Sequence, residues 1–304
     1  MESFIGGAEK LSVLLLVALG FILKKAGLVS RRNSDALIRL VYDVFLPASV
    51  LFSLLQVQIT PKLLVLPAAG FIVALSCYAL AFLLKGFFSD RRPTQGSFII
   101  ASGATNQALF SYPFFLMYLG TTGLSYVAFY DVGQAVLSFS LAYYVAMRYG
   151  EKHVGLGKMA GKMLTFPVLW AFALAFFLNV LGFSYAAQPF MPAIGFLQSF
   201  TTPLIMLSLG LFLEPAIKGT RAALGVISIR FAFALAASYV LVSALNLQGL
   251  ERITVLVASS VPPAMLTLVY SVEEGLDVPF TSSLLSVCIL IGLVYTPVLF
   301  TLLI

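Results

Sequence analysis

The run VLVASSVPPAMLTLVYSVEEG, Val255–Gly275, decides how the chain is read. It is long and apolar enough to lie within a membrane, yet Pro262 and Pro263 stand side by side at its middle. A proline lacks the backbone N–H, and its ring clashes with the preceding turn, so each costs a helix interior about 3 kcal/mol or more. In hydrocarbon the freed carbonyls find no water. The stretch therefore predicts a helix broken at membrane depth, its irregular backbone buried in protein or lining a wet cavity.

The surrounding composition supports that setting. Of 304 residues 61% are hydrophobic and only 10% are charged, against about 25% charged in ordinary soluble domains. This predicts an all-α polytopic membrane protein. Thirteen tyrosines and 27 phenylalanines suit lipid-facing surfaces and interfacial belts. At roughly 20 apolar residues per crossing, ten spans are expected, near 8–26, 36–57, 63–85, 97–119, 123–148, 163–183, 190–213, 222–245, 252–272 and 279–303. The acidic start MESFIGGAEK has no basic n-region, so the first span reads as retained rather than as a cleaved signal peptide.

The net charge of +6 reports orientation rather than a nucleic-acid partner, because the basic residues fall in short loops. Thirteen of them (Lys24, Lys25, Arg31, Arg32, Lys85, Arg91, Arg92, Arg148, Lys152, Lys158, Lys162, Lys218 and Arg221) follow odd-numbered spans. Three (Lys10, Lys62 and Arg252) lie on the other side. The bias predicts an inner-membrane protein with those loops cytoplasmic and both termini extracytoplasmic.

A weak internal repeat runs through the ten spans. ASGATNQALFSYPFFLMYLG (Ala101–Gly120) aligns with ASSVPPAMLTLVYSVEEGLD (Ala258–Asp277), and FLPASVLFSLL in the second span aligns with TTPLIMLSLGL in the seventh. Five spans per repeat is an odd number, so residues 1–150 and 151–304 form two inverted five-helix repeats. Paired breaks in corresponding spans of such repeats point to a midplane binding site. Spans four and nine are expected to break and cross there.

At these residues the sequence resembles the bacterial branch of the auxin efflux carrier family, over essentially the whole chain. The family's Asn-x-Gly-x-x-Gly-x-Pro stands here as NQALFSYP (Asn106–Pro113), with Ala108 and Ser111 in place of its glycines, followed by YLG (Tyr118–Gly120). Pro263-Ala264, the EEGLD exit, YDVFLPASVLF and the last span's YTP also match. The resemblance implies a scaffold of helices 1, 2, 6 and 7 that often dimerises, and a transport domain of helices 3, 4, 5, 8, 9 and 10. It also implies small organic anions, auxin-like or dicarboxylate, as substrates.

The residue chemistry fits an anion site. Half-helices meeting at a crossing aim N–H groups and positive dipole ends at one space, which suits a carboxylate. Thr105, Asn106 and Gln107 add side-chain donors and acceptors at the first break, Ser259 and Ser260 precede the second, and Pro262 and Pro263 free carbonyls there. Packed helices whose amides and hydroxyls merely satisfy one another would use the same residue types. Asp131, with Gln134 about one turn on, lies about 12 Å into the fifth span by helix rise and reads as a proton carrier or as half of an ion pair. Its repeat partner is Cys288.

Asp35, Arg39 and Asp43 fall at i, i+4 and i+8, as an ion-pair ladder, a cytoplasmic gate or a substrate contact on the scaffold face. Arg230 has three readings: countering Asp131, attracting an anion, or snorkelling to the surface. No metal cluster, cofactor motif, nucleophile elbow or P-loop is present, and the GLGK of Gly155–Lys158 lacks Walker spacing. The chain is thus expected to be a secondary transporter and not an enzyme, with an elevator-like motion and either H⁺ or Na⁺ as coupling ion. The alternatives are a sodium-coupled organic-anion symporter and a transporter-derived membrane sensor.

Overall fold

The computed structural model describes residues 15–151, 167–214 and 220–304. Lys10, Lys152, His153, Lys158, Lys162 and Lys218 lie outside them, as do parts of the first and sixth expected spans. Among the described residues the chain is all-helical. In chain order, α1 covers 15–25. The run α2 comprises Arg31–Leu40, a π-helical turn Val41–Phe45, and Leu46–Gln56. It is followed by α3 (Val65–Phe88) and α4 (Arg92–Gly103). A π-helical turn, Gln107–Ser111, leads into α5 (Tyr112–Phe139), and α6 (Leu141–Tyr149) comes next.

After α7 (Pro167–Val180), a 3₁₀ segment Ser184–Phe190 runs into α8 (Met191–Phe212). The run α9 comprises Thr220–Ile227, a π-helical turn Ser228–Phe233, and Ala234–Ala244. Then come α10 (Gly249–Ser259), α11 (Leu266–Glu274) and α12 (Val278–Leu303).

Five helical stretches have the length and hydropathy to cross a membrane: Asn33–Gln56, Val65–Phe88, Ser184–Phe212, Arg221–Ala244 and Val278–Leu303. They coincide with expected spans two, three, seven, eight and ten. Spans four and nine are interrupted. Helix α4 stops at Gly103, α10 stops at Ser259, and the chain resumes helical form at Gln107 and Leu266. Gly120, between the fourth and fifth expected spans, takes φ 63°, ψ −159° within α5, and Ser140 interrupts the fifth span by separating α5 from α6.

Contacts divide the chain into two units, each discontinuous in sequence: 1–60 with 108–128 and 166–213, and 61–107 with 129–165 and 214–304. In the first unit α1 and α8 approach so closely that a Cβ on Gly210 would lie 2.0 Å from Val17 O. Its polar contacts join segments far apart in sequence. Ser49 and Thr201 share a hydroxyl bond of 2.6 Å, and the Asn179 amide donates to Leu54 O and Val57 O at the end of α2.

The second unit holds a buried core from α3, α4, α6, α9, α11 and α12, including Tyr78, Phe98, Tyr143, Tyr270 and Cys288. There α3 crosses the 129–139 part of α5 at backbone contact: a Cβ on Gly133 would stand 1.7 Å from Pro67 O. Because Gly133 lies between Asp131 and Gln134, the position of both polar residues is set by this packing. The EEGLD stretch turns out to be a helix boundary. Gly275 ends α11 in the left-handed region (φ 77°), and Asp277 caps α12 by accepting from Phe280 N while Thr94 Oγ1 donates to its other oxygen.

Candidate functional site

The two interruptions of the second unit meet. Thr105 and Pro263 form a one-pair antiparallel bridge, with Asn106 N donating to Pro262 O at 2.9 Å and Ala264 N to Ala104 O at 3.0 Å. In this pattern the bridged residues themselves exchange no bond, so the N–H of residue 263 would point away from its partner strand. Proline at that position therefore removes no bridge bond, while the Pro262-Pro263 pair still prevents α10 from continuing. The broken backbone of each half is met by the other.

The carbonyls at the ends of α4 and α10 are met by Arg230. Its guanidinium is fully buried and donates from Nε to Val261 O (3.1 Å), from Nη1 to Ser102 O (3.2 Å), and from Nη2 to Ser259 O. This corrects two expectations. Arg230 does not snorkel, because three converging carbonyls hold it inward, and it is not bonded to Asp131. The carbonyls that Pro262 and Pro263 free, Ala258 O and Ser259 O four residues back, are likewise already occupied, by Gln107 Nε2 and by Arg230.

A chain of side-chain bonds leads from the first break into α5. Thr105 N points to Gln134 Oε1 at 3.4 Å, Ser138 Oγ donates to the same oxygen at 2.9 Å, and Gln134 Nε2 donates to Asp131 Oδ1 at 2.6 Å. Asp131 is half-buried and Gln134 buried. Gln107 Nε2 donates to both Thr105 Oγ1 (2.8 Å) and Ala258 O (2.7 Å), which ties the two breaks together a second time.

Among the described residues, the donor Asn106 Nδ2 and the acceptor Gln107 Oε1 beside the bridge are buried and without a partner, as are the hydroxyls of Ser102 and Thr267 at the flanking helix ends. Leaving such a group unmet costs about 1–3 kcal/mol. The arrangement therefore gains from a ligand that accepts at Asn106 and donates at Gln107. A carboxylate that also carries a hydroxyl or a protonated acid group does both. The N–H groups at the start of α11 are engaged locally, Thr267 N donating to Ala264 O and Leu268 N to Met265 O, both at 3.0 Å.

Other expected site residues are placed apart from this ligand chemistry. The hydroxyls of Ser259 and Ser260 both turn back to Leu256 O, at 3.0 and 2.9 Å, the local bond that serine makes within helices. Arg39 and Asp43 are exposed, and neither has an ion-pair partner among the described residues. The π-helical turn Val41–Phe45 shifts the register from which their i, i+4 spacing was read.

Sequence reasoning passed over Glu274, which is fully buried, its carbonyl packed where a Cβ on Gly150 would lie 2.2 Å away. The signal available was the Glu273-Glu274 pair, since adjacent helical residues do not share a face.

The family described as membrane transport protein matches residues 9–300 of this chain. An uncharacterized transporter of Methanocaldococcus jannaschii is 31% identical over 282 residues, covering 90% of this chain and 91% of its own length. Another, from Methanothermobacter thermautotrophicus, is 30% identical over 306 residues, covering 97% of each.

Proposed function

Because the chain belongs to the membrane transport protein family, the auxin efflux carrier-like group it resembled in sequence, we propose that it moves a small organic anion by binding its carboxylate at the crossing of two broken helices. The observation that carries this reading is the buried Asn106 Nδ2, without a partner among the described residues, beside a bridge whose strands exchange two backbone hydrogen bonds. Polar atoms left unmet in so closely bonded a region favour a ligand over packing. With Gln107 Oε1 as the neighbouring acceptor, the substrate class is a carboxylate with a second donor, such as a hydroxy acid or a half-protonated dicarboxylate.

The proposed frame is ten spans in two inverted repeats, 1–150 and 151–304, in the inner membrane with both termini outside. Helices 1, 2, 6 and 7 act as scaffold, and helices 3, 4, 5, 8, 9 and 10 move as the transport domain. The division into contact units supports this reading in part: one unit gathers α1, α2, α7 and α8 and the other α3, α4, α6 and α9–α12, while residues 108–128, from expected helices 4 and 5, group with the first. Asp131 is the proposed proton carrier. It accepts from Gln134, whose other end faces Thr105 N, so a proton taken up by the carboxylate bears on the polar groups of the first break. Two copies joined through the scaffold complete the assembly.

A thermal-shift screen of organic anions on purified protein, followed by uptake of the hits into proteoliposomes, tests the reading. Hydroxy and dicarboxylic acids are expected to raise the midpoint and to be taken up. Stabilisation confined to neutral or cationic compounds would refute it.

A further inference from the structure

The carbonyl ends of α4 and α10 converge on one guanidinium. Each helix C-terminus carries roughly −0.5 of an elementary charge, so two of them present about −1 to whatever lies between. Arg230 supplies +1 there, fully buried, through three donors to Ser102 O, Ser259 O and Val261 O. Among the described residues no carboxylate is bonded to it; it donates to backbone oxygens, a ligand type also suited to small metal cations, with the Cys77 thiol beside it.

Capping alone does not require this charge. At the end of α2 the neutral amide of Asn179 satisfies Leu54 O and Val57 O. What distinguishes the crossing is that two helix ends meet there at fully buried residues, Ser102, Ser259 and Val261.

The geometry points to this carbonyl cage being a cation site that the chain fills with its own guanidinium, so that the anion site at Asn106 works without a bound metal cation. The inference rests on the proposed anion site only for its last clause; the cage itself is testable without any substrate. Arg230 is then a positioning residue. By holding Ser102, Ser259 and Val261 it fixes the strands that carry the bridge, and with them the donor of Asn106.

The experiment measures the thermal midpoint of purified protein, free of any carboxylate, in choline chloride and in NaCl at equal ionic strength. Wild type is expected to melt within about 1 °C in the two salts, because its cage is already occupied. A saturable stabilisation of wild type by Na⁺ would show a separate metal site and overturn the inference.

Arg230→Ala is expected to lose at least about 5 °C and to regain half or more of that loss with ~20 mM methylguanidinium, far below denaturing concentrations. A variant that folds but ignores methylguanidinium, Na⁺ and K⁺ alike contradicts a cation site.

If Arg230→Ala gives no folded protein, Arg230→Lys against Arg230→Met decides the matter. The lysine variant is expected to melt higher because it keeps the charge, and a methionine variant equal to or above it would reduce Arg230 to packing volume. None of these readouts involves transport. Loss of anion binding with the cation results intact would therefore count against the proposed function alone.

Discussion

The crossing is finished differently on its two sides. On one side, carbonyls from α4 and α10 are saturated by a buried arginine, and the backbone of the breaks is paired strand to strand. On the other, the amides of Asn106 and Gln107 each keep one atom without a partner at equal depth. The difference teaches where structure ends and function begins in this fold. A charged or polar group that is fully met stabilises, whereas one left unmet lowers stability and is kept for what binds it. Substitutions on the first side should cost folding, and substitutions on the second should cost binding.

The largest expected effect is on the saturated side. Arg230→Met leaves three buried carbonyls without their donor and should lower stability by about 3–5 kcal/mol, measured by chemical unfolding in detergent. A loss below about 1 kcal/mol would mean that the carbonyls find other partners, and the contrast between the sides would collapse.

Next in size is Gly133→Ala. A methyl group there meets Pro67 O at 1.7 Å, and overpacking against backbone costs about 1–3 kcal/mol or more. It should also displace Gln134 and weaken anion binding, so this variant is expected to hit both sides. Wild-type affinity in a destabilised Gly133→Ala protein would separate the helix packing from the site.

Asp131→Asn is predicted to change stability by less than about 1 kcal/mol, because the amide oxygen still accepts from Gln134 Nε2. Uptake driven by a pH gradient should nonetheless fall, while counterflow without a gradient persists. Wild-type response to the gradient in this variant would remove Asp131 as the coupling group.

The smallest effects belong to Ser259→Ala and Ser260→Ala. Both hydroxyls are spent on Leu256 O, so stability should shift within about 0.5 kcal/mol with unchanged affinity. A tenfold loss of affinity in either would return these serines to the ligand.

Much of this contrast was legible in the sequence, and the unread part has a physical cause. The breaks were visible because proline acts locally: Pro262-Pro263 cannot lie inside a helix whatever surrounds them. The polar run Thr105–Gln107 was visible because amides in an apolar span need partners. Which partner each takes depends on what the fold brings near, and residue types do not encode that.

Arg230 looked able to snorkel because its distance from the span's end permits it; only the convergence of two helix ends holds it inward. Ser259 and Ser260 looked like ligand groups because a back-bonded serine and a ligand-facing one are the same residue in sequence. The Arg39–Asp43 spacing misled for a different reason, since a π-helical turn inserts a register shift that a 3.6-residue period does not reveal. The five uninterrupted spans were readable from hydropathy alone.

The account's central claim is that the unpartnered amide at the crossing is there for a carboxylate. The direct measurement is calorimetric titration of wild type and Asn106→Ala with the best anion from the screen, alongside the thermal midpoint of each without ligand. Removing a buried donor that has no partner should leave the midpoint level or slightly raised, while affinity falls about tenfold or more, the equivalent of about 1.4 kcal/mol. Unchanged affinity together with a lowered midpoint would contradict the claim and make Asn106 a packing residue of the bridge.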